Sequence, residues 1–165
     1  MLLVALGNKL SDDIWNKTKS EVINLSNSPK SCNDLPPYPY EISGAAGTIV
    51  GSVPIISGGI SKNPIRIYSQ IYKFDLTTGN WILLGNLKSP RYQHSSVPLY
   101  SGVFVMGGRD NNGTILKSTE LISLNGTVTS QINLPTPRSG HCSVLLEDGN
   151  GDPGKVLIMI SISSI

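Results

Sequence analysis

An apolar run that halts at glycine returns about every fifty residues along this chain, and no other feature restricts its fold as much. It reads "VALGN" at 4–8, "IISGG" at 55–59, "FVMGG" at 104–108 and, decayed, "LIMIS" at 157–161. Aligning Leu6, Gly58, Gly107 and Ile160 gives spacings of 52, 49 and 53. A fixed period of this length implies one supersecondary unit repeated side by side. Two other markers keep phase with it. "SPRYQHSSV" at 89–97 matches "TPRSGHCSV" at 136–144 with an offset of 47, and an eroded copy, "YPYEISGAA" at 38–46, lies 51 residues before the former. "YSQIYKFDLTTGNW" at 68–81 has counterparts in "KSTELISLNGTVTS" at 117–130 and "KSEVINLSNSPKSC" at 19–32.

The unit itself is β in character. Its runs are short and β-branched, and Gly, Pro, Asn or Ser bound them, so helical spacing is nearly absent. Each unit reads as an apolar strand ending at Gly-Gly, a polar loop, a second strand, a tight turn, a third strand, and a Pro-Arg-x-x-His segment before a fourth. The tight turn in the central unit is Thr77-Thr78-Gly79-Asn80. The alternation in "IYKFDL" puts Ile71, Lys73 and Asp75 on one face and Tyr72, Phe74 and Leu76 on the other. Gly58, Gly59, Gly107 and Gly108 are read as places where a buried strand leaves a crowded centre with positive φ. Trp81 is read as filler between stacked sheets.

Composition agrees with a packed β domain. The chain has 165 residues, 39% of them apolar and only 15% charged, which is enough for one core and too apolar for a disordered tail. The net charge is +2, with Lys and Arg scattered singly, so the dense basic patch that nucleic acid requires is absent and such a partner is not expected. No segment reaches the ~18 apolar residues of a membrane helix. "MLLVALG" lacks the basic start of a signal peptide, and the final "KVLIMISISSI" reads as a strand, not a span.

The Gly-Gly pair, "YKFDLTTGNW" and "PRxxH" together resemble the kelch repeat. The resemblance implies an all-β fold: a kelch-type β-propeller arc of three four-stranded antiparallel blades plus a partial fourth, not closed. The units run approximately 1–53, 54–102, 103–155 and, partially, 156–165. The first lacks Gly-Gly, has Cys32 where the central unit has Trp81, and lacks Arg in "YPYEI". Three units are too few for a closed disc, so further blades from the same or another chain are expected to complete it. A piece of a longer propeller, closure by oligomerisation and a stand-alone eroded arc are the three alternatives.

Candidate site residues fall in two sets. Arg91, His94, Arg138 and His141 occupy repeat-equivalent positions, so a structural role in each blade is expected of them, not chemistry. Propellers bind with loops held on stiff sheets. The loops after each Gly-Gly, at 60–69 and 109–118, are polar and differ between repeats. Arg66, Tyr68, Arg109, Asp110 and Asn111 are the candidate contacts to a protein partner there. Arginine suits planar bidentate contacts.

No cofactor or metal site is expected. The resemblance also admits an enzyme alternative, a galactose-oxidase-like copper oxidase or a sugar-acid epimerase. The Tyr-Cys constellation that a copper-radical oxidase needs is not visible in the sequence. "DGNGDPG" at 148–154 begins like a calcium loop, but has Pro153 at the sixth position and Met159 at the twelfth. Cys32 and Cys142 have no ligand spacing, and a disulfide between them is not decided by sequence. Sequons at Asn16, Asn24, Asn112 and Asn125 are compatible with secretion without arguing for it.

Overall fold

Strand pairing accounts for every regular element among the described residues. The structure, a computed structural model, describes residues 2–5, 20–23, 33–146 and 155–159. Its strands are β1 (Leu2–Ala5), β2 (Ser20–Ile23), β3 (Asn33–Leu35), β4 (Ala46–Val50), β5 (Val53–Ser57), β6 (Ile60–Lys62), β7 (Ile65–Ile67) and β8 (Gln70–Asp75). They continue as β9 (Asn80–Asn86), β10 (Ser95–Leu99), β11 (Gly102–Met106), β12 (Thr119–Ser123), β13 (Val128–Gln131), β14 (Cys142–Leu146) and β15 (Lys155–Met159). No helix occurs among the described residues.

Two complete antiparallel sheets form the centre, β4-β5-β8-β9 and β10-β11-β12-β13. A three-stranded sheet, β1-β2-β3, and a two-stranded one, β14-β15, stand at the ends of the sequence order. The fold is therefore an all-β arc of propeller blades that is not closed. Strands β4, β10 and β14 lie beside one another and make the innermost row.

The sheets run one strand out of phase with the sequence repeat. The strand after Pro-Arg-x-x-His, expected as the fourth of its unit, instead opens the next sheet. Leu99 faces Gly102 across a two-residue link, and Val50 faces Val53 in the same way. Such a short hairpin fixes the pairing locally, whereas the longer link at 87–94 carries the chain from one sheet to the next.

Alternation along each strand sends neighbours to opposite faces, and three apolar layers result. Ile56 and Tyr72 join Tyr38, Ile42 and Tyr68 on one face of the β4-β5-β8-β9 sheet, with Trp81 packed against them. Ile55, Ile71 and Leu87 leave the other face to meet Val103, Val105 and Ile122 of the next sheet. Val97, Met106 and Leu134 then pack with Leu145, Val156 and Ile158 of the last one. Each such side chain contributes ~1.5–3 kcal/mol when fully buried. The turn into β9 is closed by Asp75, whose carboxylate accepts from the Thr77 N–H and the Thr78 hydroxyl at 2.9 Å each. Those two bonds, the backbone one first, hold its pKa below the usual carboxylate range.

Candidate functional site

The Gly-Gly turns build the loop face, and they do so identically in both complete blades. The Gly58 N–H donates to Gln70 O at 3.0 Å and the Gly59 N–H to Arg91 O at 2.9 Å. One repeat on, the Gly107 N–H donates to Ser118 O at 3.1 Å and the Gly108 N–H to Arg138 O at 2.7 Å. A Cβ on Gly58 would stand 2.4 Å from Arg91 O and 2.8 Å from His94 Cε1; on Gly107 it would stand 2.5 Å from Arg138 O and 3.0 Å from His141 Cε1. All four glycines have φ between +61° and +107°. Positive φ and the absent side chain are both required, because the next Pro-Arg-x-x-His turn rests directly on the glycine.

A third element of the repeat, missed in the sequence, links the blades near the innermost row. The Gln93 N–H donates to Gly44 O at 2.7 Å, and the Gly140 N–H donates to Gln93 O at 2.8 Å. All three residues are left-handed, with φ of 63°, 53° and 62°. This ladder corrects the sequence alignment of the first unit. Ala46 faces Ser57 as Ser95 faces Met106, so the offset there is 49 and not 51. Ala45 stands where His94 does, and Ile42 where Arg91 does. The Tyr-Pro similarity that suggested 51 is overridden by hairpin register, which backbone pairing fixes to the residue.

His94 and His141 are buried, with 6% and 7% exposure. His94 Nε2 is hydrogen-bonded to the Ser57 hydroxyl at 3.0 Å, and His141 Nε2 to the Ser95 hydroxyl at 2.7 Å. Burial is the main cause that lowers the His94 pKa to about 3, with the Arg91 and then the His141 charges adding to it. His141 shifts in the same direction through burial and the Arg138 charge. Both rings are therefore neutral at pH 7, and each is committed through Nε2 to a neighbouring strand.

Arg91 is fully buried and fastens the inter-blade link. Its guanidinium donates to Gly107 O at 2.8 Å, to Ser118 O and the Ser118 hydroxyl at 3.1 Å each, and to the Glu120 carboxylate. Glu120 also accepts the Lys88 N–H at 2.8 Å. Burial lowers the Arg91 pKa and Glu120 opposes that shift. Arg138, half-buried, makes no hydrogen bond or ion pair of its side chain among the described residues. Trp81 packs edge-on against Tyr38 and Phe74, and its indole N–H donates to Pro36 O at 3.2 Å.

The five loop candidates divide by what they touch. Residues 60–69, read as a loop, form the hairpin β6–β7 instead, with Ile60 facing Ile67. Arg66 is exposed on it, 5.3 Å from the ring of Tyr68. Tyr68 itself is buried at 9% and packs 4.6 Å from Tyr40, so it supports the hairpin from below. Arg109 donates to Gly113 O at 3.0 Å, and Asp110 accepts the N–H groups of Asn112 and Thr114 at 2.9 Å each. Those two side chains shape their own loop. Asn111 is exposed at its tip. The face thus presents Arg66 and Asn111 outward, on a frame set by the other three.

Among the described residues no group of three His, Cys, Asp or Glu side chains is arranged to hold a metal, and no helix is long and apolar enough to cross a membrane. The Cys142 thiol is free and exposed. Cys32, the 148–154 segment, Asn16 and Asn24 lie outside the described residues.

No family model matches the chain. It is similar to alpha-scruin of Limulus polyphemus, 27% identical over 96 residues, covering 54% of this chain and 10% of the relative. The chain thus spans about a tenth of that protein's length. Among solved structures it resembles that of YjhT, with a TM-score of 0.74 and 14% identity over 90% of this chain and 60% of the other. Both similarities agree with a kelch-type propeller fold for this chain.

Proposed function

We propose that the chain is a non-catalytic kelch-type interaction module, which grips a protein partner with the loops that follow its Gly-Gly pairs. One observation carries this reading. The frame beneath the two loops repeats the same backbone hydrogen bonds, while the loops themselves differ: a β-hairpin after Gly59, an Asp110-closed loop after Gly108. A stiff repeated support with unlike loops on it is the layout of a recognition surface. Similarity to alpha-scruin, a kelch-repeat protein, supports protein binding in general. Each histidine offers its Nε2 to a serine, which supports a structural role for both.

Photo-crosslinking tests the reading. A crosslinker placed at Arg66 or Asn111 is expected to trap the same partner, and one at Tyr100, at the opposite end of the strands, is expected to trap none. Equal labelling from both ends would overturn the assignment of the loop face. With the crosslinker at Arg66, Asn111→Arg should weaken the crosslink, and with it at Asn111, Arg66→Glu should do the same, while the circular dichroism stays that of the parent.

A further inference from the structure

Arginine and lysine are scattered singly along the sequence, and the fold gathers several of them at the Gly-Gly end of the strands. Lys62 and Arg66 stand on the β6–β7 hairpin, Arg109 and Lys117 at the two ends of the loop after Gly108, and Lys88 on the link from β9 to β10. Backbone hydrogen bonds join these segments into one surface: the Gly59 N–H donates to Arg91 O at 2.9 Å, and the Arg109 N–H to Tyr92 O at 2.8 Å. Carboxylates do not offset the cations there. Glu120 is buried against Arg91, and Asp110 is turned onto the N–H groups of Asn112 and Thr114. Glu41 is the other acidic side chain described at that end. At the opposite end Asp75 and Lys155 carry opposite signs. Ile65, 80% exposed at the hairpin tip, and Ile115, exposed on the second loop, set apolar surface among the charges.

Resting on the loop-face reading above, we propose that the partner gripped there is an acidic protein segment with apolar side chains set between its carboxylates. Lys62, Arg66 and Lys117 take the carboxylates, and Ile65 and Ile115 take the apolar groups. The Arg66 guanidinium, held 5.3 Å from the Tyr68 ring, is already positioned, so less freedom is lost when it meets a carboxylate. Charge of one sign on the loops steers an oppositely charged segment and selects against basic ones. Burial of the isoleucines supplies affinity that charge at a solvated surface does not. A bare polyanion such as a nucleic acid would meet the cations and leave Ile65 uncovered, so the apolar surface favours a polypeptide.

Fluorescence anisotropy of the whole chain with two short labelled peptides tests this, one of repeating Glu-Asp-Leu and one of repeating Glu-Asp-Ser. The leucine peptide should bind at least about fivefold tighter, and both should weaken as salt is raised. The triple variant Lys62→Gln, Arg66→Gln, Lys117→Gln should weaken the leucine peptide at least about tenfold. Ile65→Ser should weaken the leucine peptide and leave the serine peptide unchanged. Lys155→Gln, at the opposite end of the strands, should change neither. Equal binding of the two peptides, indifference to the triple variant, or an oligothymidylate that binds as tightly as the leucine peptide would each overturn the proposal. Dichroism verifies that the variants fold; should the triple variant not fold, Arg66→Gln and Lys117→Gln are made singly, and each must weaken the leucine peptide. The crosslinks at Arg66 and Asn111 separate this proposal from the one beneath it. Crosslinks to a segment without Asp or Glu would leave the loop face standing and overturn the acidic partner alone.

Discussion

Arg91 and Glu120 form an ion pair with side chains 0% and 3% exposed, one from the link between two sheets and the other from the third strand of the second sheet. Removing one partner of such a pair strands a buried charge, which costs about 3–5 kcal/mol. Replacing both with apolar groups of matching shape is often neutral. The protein contains that replacement already, in Ile42 and Tyr72 one repeat earlier. Arg91→Ile is therefore expected to lose about 3–5 kcal/mol in urea denaturation, and the double variant Arg91→Ile, Glu120→Tyr to regain most of it. A double variant as unstable as the single one would mean that the hydrogen bonds from Arg91 to Gly107 O and Ser118 O, not the charge pair, hold the link.

The glycine pairs separate strain from open space. Gly58→Ala would bring a Cβ to 2.4 Å from Arg91 O, an oxygen that already accepts the Gly59 N–H. Gly113 also has positive φ, at 76°, but a Cβ there meets nothing within 4 Å. Left-handed backbone alone costs an alanine about 1–2 kcal/mol. Overpacking adds about 1–3 kcal/mol more. Gly58→Ala and Gly107→Ala should each lower the unfolding free energy well beyond Gly113→Ala, measured by denaturant midpoints. Equal losses at all three would show that φ, not the resting Pro-Arg-x-x-His turn, sets the requirement.

Much of this was legible because a repeat announces itself several times over. Ile71 and Tyr72 fall on opposite faces as their alternation predicts, and the doublets at 58–59 and 107–108 occupy the same place in successive blades. Strand membership was less legible. Ser95–Leu99 belongs to the following sheet, because hydrogen-bond pairing is decided by the two-residue link after Leu99 and not by where a repeat is begun. The β6–β7 hairpin escaped notice since three-residue strands are below the length at which alternation can be seen. Tyr68 reads as a surface contact from its neighbours in a polar stretch, yet it turns inward onto Tyr40. The Gly44–Gln93–Gly140 ladder left no trace because its middle member is not a glycine.

That middle member yields a prediction of its own. Gln93 is exposed and has φ of 53°, where its two counterparts are glycines. A left-handed residue other than glycine costs about 1–2 kcal/mol, against about 0.5–1 kcal/mol for the greater freedom glycine loses on folding. Gln93→Gly should thus leave stability unchanged or raise it by up to ~1 kcal/mol, while Gln93→Val, β-branched, should lower it. Thermal melting of the pair checks the order. A stabilising valine would mean that the left-handed turn is not retained in solution.

Acid should unfold the protein earlier than its carboxylates alone would dictate. His94 is neutral in the fold, its pKa lowered to about 3 first by burial and then by the Arg91 and His141 charges. In the unfolded chain it titrates near the ordinary value of ~6.5. Between those values the unfolded state binds a proton that the folded state refuses, so stability is full above pH ~6.5 and falls as the pH drops toward 3. The slope reaches ~1.4 kcal/mol per pH unit, and His141 acts in the same direction. From pH 7 to pH 5, above the range where Asp75 titrates, His94 alone should account for a loss of roughly 2 kcal/mol. Urea titrations at both pH values measure it. His94→Gln, which keeps a hydrogen-bonding group near Ser57 but cannot titrate, should be less stable at pH 7 and markedly flatter across the interval. A variant with the parent's full pH slope would place the buried titration elsewhere.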